Sequence, residues 1–106
     1  MTESKLSLEE LQDMVRLAES RRGFADEGPL QKCLLLGEEV GELFKAVRRQ
    51  SAIAVDPQST AHEVADELAD ILNFVAAIAN RFGISLHAAF IEKERRNEAR
   101  TWHVDR

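Results

Sequence analysis

A chain of 106 residues is expected to form one domain, and its 44% hydrophobic and 31% charged residues are typical of a globular protein with a modest core. The formal net charge of −5 excludes the positive surface that a DNA- or RNA-binding protein needs. The single cysteine excludes an internal disulfide and a cysteine-rich zinc site. Residues 1–106 are therefore interpreted as one domain, with its core over about 8–100.

The sequence has few turn-forming residues and is rich in alanine, leucine, glutamate and arginine, which favours an all-α fold. Its N-terminus has no apolar stretch of signal-peptide length, and its apolar runs are far too short to cross a membrane. We expect no membrane and no nucleic-acid partner, and a cytoplasmic location.

The first predicted helix begins at a capping box, in which Ser7 and Glu10 each satisfy a free backbone N–H. Apolar residues recur after it at helical spacing as far as Arg22, where Gly23 is expected to end the helix. A short turn-rich linker follows.

Pro29 suits the first turn of a second helix, which is predicted to continue to about Arg49. Cys33 lies in its apolar run and is expected to be a buried, inert thiol. Gly37 and Gly41 interrupt this helix at a cost of roughly 1 kcal/mol each relative to alanine. They indicate either a close approach to the backbone or tight helix packing, and the sequence does not decide between the two.

After a loop, Thr60 and Glu63 form a second capping box, and a third helix is predicted from there to about Arg81. Ser85 can cap a fourth helix that continues to about Arg100. The sequence therefore predicts four amphipathic helices in a bundle-like protomer.

The second and third helices carry apolar faces wider than one neighbouring helix would cover. We expect homo-oligomerisation, as a homodimer or homotetramer, to bury the remainder. Four aromatic side chains are expected to pack inside the bundle: Phe44, Phe74, Phe82 and Phe90.

Two pairs of acidic residues lie at the margins of these apolar faces, Glu39 with Glu42 and Glu67 with Asp70. Like charges three residues apart on a helix repel by roughly 0.2–0.5 kcal/mol per pair. If the two helices pack antiparallel, the four carboxylates converge, and close anions without a cation are unfavourable. A hard divalent cation removes this cost.

Carboxylate oxygens without histidine favour Mg²⁺, or Mn²⁺ in its place, over zinc or copper. A di-iron bundle would require Glu-x-x-His pairs, and the sequence has none. The alternative is that these carboxylates are solvated and pair with nearby lysine and arginine residues. Spacing alone leaves both interpretations open.

The run Glu38-Glu39-Val40-Gly41-Glu42, followed by Glu67-Leu68-Ala69-Asp70, resembles the EExxE…ExxD signature of MazG-like nucleotide pyrophosphohydrolases. These belong to the all-α NTP pyrophosphatase superfamily, together with dCTP pyrophosphatases and dimeric dUTPases. Lys93 and Asn97 resemble the KxxxN element of the family, and Arg100 follows one turn later. The resemblance covers roughly residues 8 to 100.

The resemblance implies Mg²⁺-dependent cleavage of a nucleoside triphosphate between its α and β phosphates, which gives a monophosphate and pyrophosphate. It implies that Glu39, Glu42, Glu67 and Asp70 hold the metal, and that Glu38 orients water or binds a further metal ion. Three residues would contact phosphates: Lys93, Asn97 and Arg100.

The nucleobase pocket is not evident from the sequence, and Phe24 and Trp102 are the candidates for base binding. Asn73 is equally compatible with a supporting role near Asp70 and with simple exposure. The expected role is the removal of non-standard or excess (d)NTPs. Two alternatives remain, a phosphoribosyl-ATP pyrophosphohydrolase and a non-catalytic helical scaffold or regulator of the same fold.

Overall fold

The computed structural model describes residues 4–51 and 61–100, and these residues form four α-helices. The helices are α1 (Leu8–Arg22), α2 (Pro29–Gln50), α3 (Ala61–Arg81) and α4 (Leu86–Ala99). No strand occurs in these ranges, so the predicted all-α fold is confirmed.

The ends of the helices follow from local sequence. At the start of α1, Ser7 N–H donates to the Glu10 carboxylate at 2.8 Å, and Glu10 N–H donates to the Ser7 hydroxyl at 3.0 Å. Gly23 ends α1 with a φ of 82°, in the left-handed region that costs glycine little. The hydroxyl of Ser85 accepts from Ala88 N–H at the start of α4. The second capping box, at Thr60, lies outside the described residues.

Helices α2 and α3 are antiparallel neighbours and form the largest helix pair of the fold. Arg49, late in α2, contacts Glu63, early in α3, at 3.3 Å. At the other end of the pair, the Lys32 ammonium lies 5.7 Å from the centre of the Phe74 ring. Side chains in the middle of both helices therefore face each other. This is the antiparallel packing in which the acidic pairs are predicted to converge.

The buried core of the described residues is small and consists mainly of alanine. Its apolar members are Val15, Ala46, Ala76, Ala77 and Ala79. Small side chains allow α1, α2 and α3 to approach closely, but they bury little apolar area per residue.

Several large apolar side chains that were expected inside the bundle lie outside it. Phe44, Phe82 and Phe90 are 68%, 62% and 62% exposed, and Cys33 is also exposed. The predictions of a buried Cys33 and of three packed phenylalanines are therefore wrong for a single chain, while Phe74 is half-buried as expected. Cys33 and Phe44 are exposed because α2 packs mainly against α3 and leaves the rest of its wide apolar face uncovered. Phe82 lies in the turn after α3, and Phe90 lies on α4, which has no buried residue.

Helix α4 is the least embedded element. It packs against α1, leaves the direction of α3 at an angle of 97°, and has no buried residue. Among the described residues, no single helix is long and apolar enough to cross a membrane, and only the bent pair of α3 and α4 meets the length and composition of a span.

Candidate functional site

Three of the four acidic residues predicted to hold a metal come together between α2 and α3. Glu39, Glu67 and Asp70 each offer one carboxylate oxygen, and these oxygens all lie within 4.8 Å of one another. Glu39 and Glu67 are half-buried, whereas Asp70 is exposed. We call these three residues the carboxylate cluster.

The electrostatics of the carboxylate cluster are those of crowded anions. The pKa of Glu39 is raised to about 7. The causes are a hydrogen bond with the Glu67 carboxyl, burial, and the negative charges of Asp70, Glu67 and Glu42. One carboxylate oxygen of Glu67 is buried and has no hydrogen-bond donor. A shared proton or a bound cation would satisfy that oxygen. The donor set, all carboxylate oxygens, therefore fits a hard divalent ion such as Mg²⁺.

Glu42 and Glu38 lie beside the carboxylate cluster but are not part of it. The side chain of Glu42 is 53% exposed and forms a 3.6 Å ion pair with Lys45, although its charge still contributes to the raised pKa of Glu39. Glu38 is exposed on α2. The predicted convergence of four carboxylates is thus found for three of them.

The raised pKa of Glu39 predicts how the metal-free protein responds to pH. At pH values between about 4.5, the ordinary pKa of the residue, and about 7, Glu39 of the folded chain holds a proton that the unfolded chain has released. The free energy of unfolding should therefore fall as pH rises through this window. Thermal unfolding followed by circular dichroism in EDTA, at about pH 5.5 and about pH 7.5, measures this loss.

The matched control is Glu39→Gln, which cannot release a proton and should show a smaller loss over the same window. Saturating Mg²⁺ should raise the midpoint temperature of thermal unfolding of the wild-type protein most at the higher pH, because the cation takes the place of the proton in the carboxylate cluster. Equal pH dependence in the wild-type and Glu39→Gln proteins would contradict the prediction.

The residues predicted to bind phosphates all belong to the C-terminal region and are not brought to the carboxylate cluster of the same chain. Lys93 is exposed and Asn97 is half-buried on α4, and Arg100 follows the end of that helix. Within the described ranges, α4 has no extensive contact with α2 or α3. Any meeting of these residues with the carboxylate cluster therefore requires a different position of α4, or a second copy of the chain.

A cavity of about 240 Å³ lies one helical turn from the carboxylate cluster, and we call it the Phe24 cavity. It is lined by Ala18, Glu19, Arg22, Phe24, Glu27, Lys32, Leu35, Asn73 and Phe74. Leu35 precedes Glu39 by four residues, and Phe74 follows Asp70 by four. Four residues of helix advance about 6 Å. The cavity therefore lies about 6 Å along α2 and α3 from the carboxylate cluster.

Of the two candidates for base binding, Phe24 lines this cavity and is 44% exposed. Trp102 lies outside the described residues. Asn73, for which the sequence left two roles open, also lines the cavity and is half-buried.

A buried polar network forms the wall of the Phe24 cavity, and sequence reasoning missed it. Lys32 is 4% exposed. Its ammonium group contacts the Glu27 carboxylate at 2.6 Å and the Glu19 carboxylate at 3.1 Å. It also lies 5.1 Å from the centre of the Phe24 ring, within range of a cation–π interaction.

Arg81 joins the same network from the end of α3. Its guanidinium donates to Glu19 at 2.9 Å and to the backbone carbonyls of Glu27 at 2.6 Å and Phe24 at 3.1 Å. Burial acts to raise the pKa of Glu19, but its hydrogen bonds to Arg81 and Lys32 and their charges outweigh burial and hold the pKa below its ordinary value. The network thus fixes the linker that carries Phe24.

The one signal in the sequence that points to this network is Lys32 itself, a charged residue within the apolar start of α2. Its partner Glu19 lies 13 residues before it, and Arg81, which also contacts Glu19, lies 49 residues after it, so helical spacing could not connect these three residues.

Comparison with protein families places these features in context. The family model of phosphoribosyl-ATP pyrophosphohydrolase matches residues 8–97, a range that contains the carboxylate cluster, the Phe24 cavity, Lys93 and Asn97. None of the curated proteins compared with the chain matches it. The chain therefore belongs to the phosphoribosyl-ATP pyrophosphohydrolase family, within the MazG-like all-α NTP pyrophosphatase superfamily.

Proposed function

We propose that this protein is a metal-dependent nucleotide pyrophosphohydrolase, which cleaves its substrate between the α and β phosphates and releases pyrophosphate. The observation that carries the proposal is the carboxylate cluster of Glu39, Glu67 and Asp70, whose three oxygens lie within 4.8 Å of one another in a chain of this family. Phosphoryl transfer needs neutralised phosphate oxygens and an oriented water more than covalent help from the protein.

In this proposal Mg²⁺ is the metal, with Mn²⁺ as a possible substitute, and the carboxylate cluster holds it. Glu42 joins from one turn along α2 when its exposed side chain turns from Lys45 towards Glu39. A Mg²⁺ ion held there would supply positive charge to phosphate oxygens and would lower the pKa of bound water. Glu38, next to the cluster on α2, orients the attacking water or holds a further ion.

Lys93, Asn97 and Arg100 are proposed to contact the phosphates. A lysine supplies a point charge, an arginine supplies a planar pair of donors, and an asparagine supplies a neutral hydrogen bond. The mixture suits a substrate with several phosphate oxygens.

Phosphoribosyl-ATP is the substrate that the family match favours. A simple (d)NTP is the second candidate, because the Phe24 cavity of about 240 Å³ is of a size to hold one base with its sugar. The second sugar phosphate of phosphoribosyl-ATP would have to lie outside that cavity. Phe24 and Phe74 provide apolar ring surface for the base, and Asn73 provides hydrogen-bonding groups.

The proposed partner of the chain is a second copy of itself. The exposed apolar side of α2 and α3 carries Leu30, Leu34, Phe44, Leu68 and Leu72. Large apolar side chains exposed on two neighbouring helices are what an interface between subunits would cover. Sedimentation equilibrium should give a mass of at least twice 11.9 kDa. The change Phe44→Glu should shift it towards the monomer, and a wild-type monomer at all concentrations would contradict the assembly.

The experiment that tests the function measures pyrophosphate and orthophosphate separately. The substrates are phosphoribosyl-ATP, the canonical (d)NTPs and a set of modified (d)NTPs, each with Mg²⁺ and with EDTA. We expect metal-dependent release of pyrophosphate, and the ranking of rates identifies the substrate. Release of orthophosphate alone would contradict the reaction, and no release from any substrate would leave the non-catalytic scaffold.

A further inference from the structure

The side chain of Gln12 joins four parts of the chain at one point. From α1, its amide N–H group donates to the Asn80 side-chain oxygen at 3.0 Å and to the backbone carbonyl of Ile84 at 2.8 Å. Its amide oxygen accepts from the backbone N–H of Leu86, the first residue of α4, at 2.8 Å. Gln12 is 6% exposed, so these groups are shielded from water.

Neighbouring groups reinforce this junction. The side-chain N–H of Asn80 donates back to the backbone carbonyl of Gln12 at 3.0 Å, and Arg16 donates to the Asn80 side-chain oxygen at 3.2 Å. The amide of Gln12 must donate and accept at the same time. Neither glutamate, which has no donor when ionised, nor methionine, which has no strong donor or acceptor, can replace it.

In the described part of the chain, α4 packs only lightly against the other helices. The helix has no buried residue, Leu86 alone among its side chains packs against the core of Val15, Ala76 and Ala77, and Phe90 and Ile91 are exposed. The angle of 97° between α3 and α4 is therefore set at the turn between them, which is where Gln12 makes its hydrogen bonds.

We infer that Gln12 is a positioning residue, which fixes the direction of α4 and thereby the place that Lys93 and Asn97 take at substrate phosphates held by the carboxylate cluster of a second copy of the chain. The inference rests on the proposed function, in which α4 carries these two groups. Gln12 itself does not touch the substrate. A shift of about 1 Å in such groups is enough to lower a rate by up to about 100-fold.

The test compares Gln12→Glu and Gln12→Met with Glu9→Gln, a change of the same size at an exposed position of the same helix. We expect amide hydrogen exchange in α4 to become at least about tenfold faster in both Gln12 variants, with exchange in α2 and α3 unchanged. The KM for the substrate identified above should rise about tenfold with a smaller change in kcat, because ground-state phosphate contacts are lost. Binding of Mn²⁺ to the carboxylate cluster should stay the same.

Faster exchange in all helices would overturn the inference, since Gln12 would then only stabilise the fold. Wild-type exchange in α4, or a wild-type KM, would overturn it as well. Failure of the proposed function looks different, because the wild-type chain itself would release no pyrophosphate. In that case calorimetry with inorganic tripolyphosphate and Mg²⁺ decides: about tenfold weaker binding in the Gln12 variants supports the positioning role, and equal binding overturns it.

Discussion

Replacing Asp70 with asparagine should lower kcat/KM for pyrophosphate release by at least about 100-fold, and Glu39→Gln should do the same. Each change removes a negative oxygen from the carboxylate cluster and so weakens the hold on the metal, whose contribution to the transition state is several kcal/mol. Tenfold in rate corresponds to about 1.4 kcal/mol. Steady-state rates with saturating Mg²⁺ measure the loss, and calorimetric titration with Mn²⁺ assigns it to metal binding.

The control is Asp66→Asn, the same substitution one turn earlier on α3, at an exposed residue outside the carboxylate cluster. This variant should keep wild-type activity. Asp70 is also exposed, so the far-ultraviolet circular dichroism of Asp70→Asn should match the wild type. An active Asp70→Asn enzyme would remove this residue from the proposed metal site.

Replacing Lys32 with methionine should destabilise the folded chain by about 3 kcal/mol or more. Methionine keeps most of the side-chain volume. It removes the 2.6 Å ion pair of Glu27, and it leaves Arg81 as the one cation paired with Glu19 among the described residues. Removing one member of a buried ion pair is costly because the remaining charge is no longer compensated. For a domain of this size the melting temperature should fall by about 10 °C or more. Urea denaturation gives the free energy.

Lys45→Met provides the matched comparison on the same helix. Lys45 is 53% exposed and its ion pair with Glu42 spans 3.6 Å, so its removal should cost less than about 1 kcal/mol. Similar losses in the two variants would show that Lys32 acts as an ordinary surface charge. The activity of Lys32→Met, measured well below its melting temperature, tells whether the Phe24 cavity keeps its shape without the ammonium.

The parts of the fold that depend on neighbours in sequence could be predicted. The capping box of Ser7 and Glu10, the left-handed turn at Gly23 and the cap at Ser85 each involve residues at most four apart. The meeting of Glu39 with Glu67 and Asp70 was also within reach, because two helices that pack antiparallel must bring their marginal residues together.

The parts that depend on tertiary contacts could not be predicted. The bonds of Gln12 to Asn80 and of Arg81 to Glu19 join residues more than 60 positions apart, and no periodic pattern encodes them. The sequence also gave no way to tell an apolar side chain that packs within the chain from one that faces outward. This is why the sequence predicts a buried Phe44 and a buried Cys33, although both are exposed.

The antiparallel register of α2 and α3 has a consequence for how such a protein can diverge. The carboxylate cluster and the Phe24 cavity use the same two helices but successive turns of them, so each can be altered by substitutions that leave the other intact. Asn73 and Phe74 line the cavity and lie outside the carboxylate cluster, so we expect a change at either residue to reshape the cavity and to leave the oxygens of Asp70 in place. If the proposed function holds, selection for a new nucleotide would therefore act on the Phe24 cavity while the carboxylate cluster stays constant.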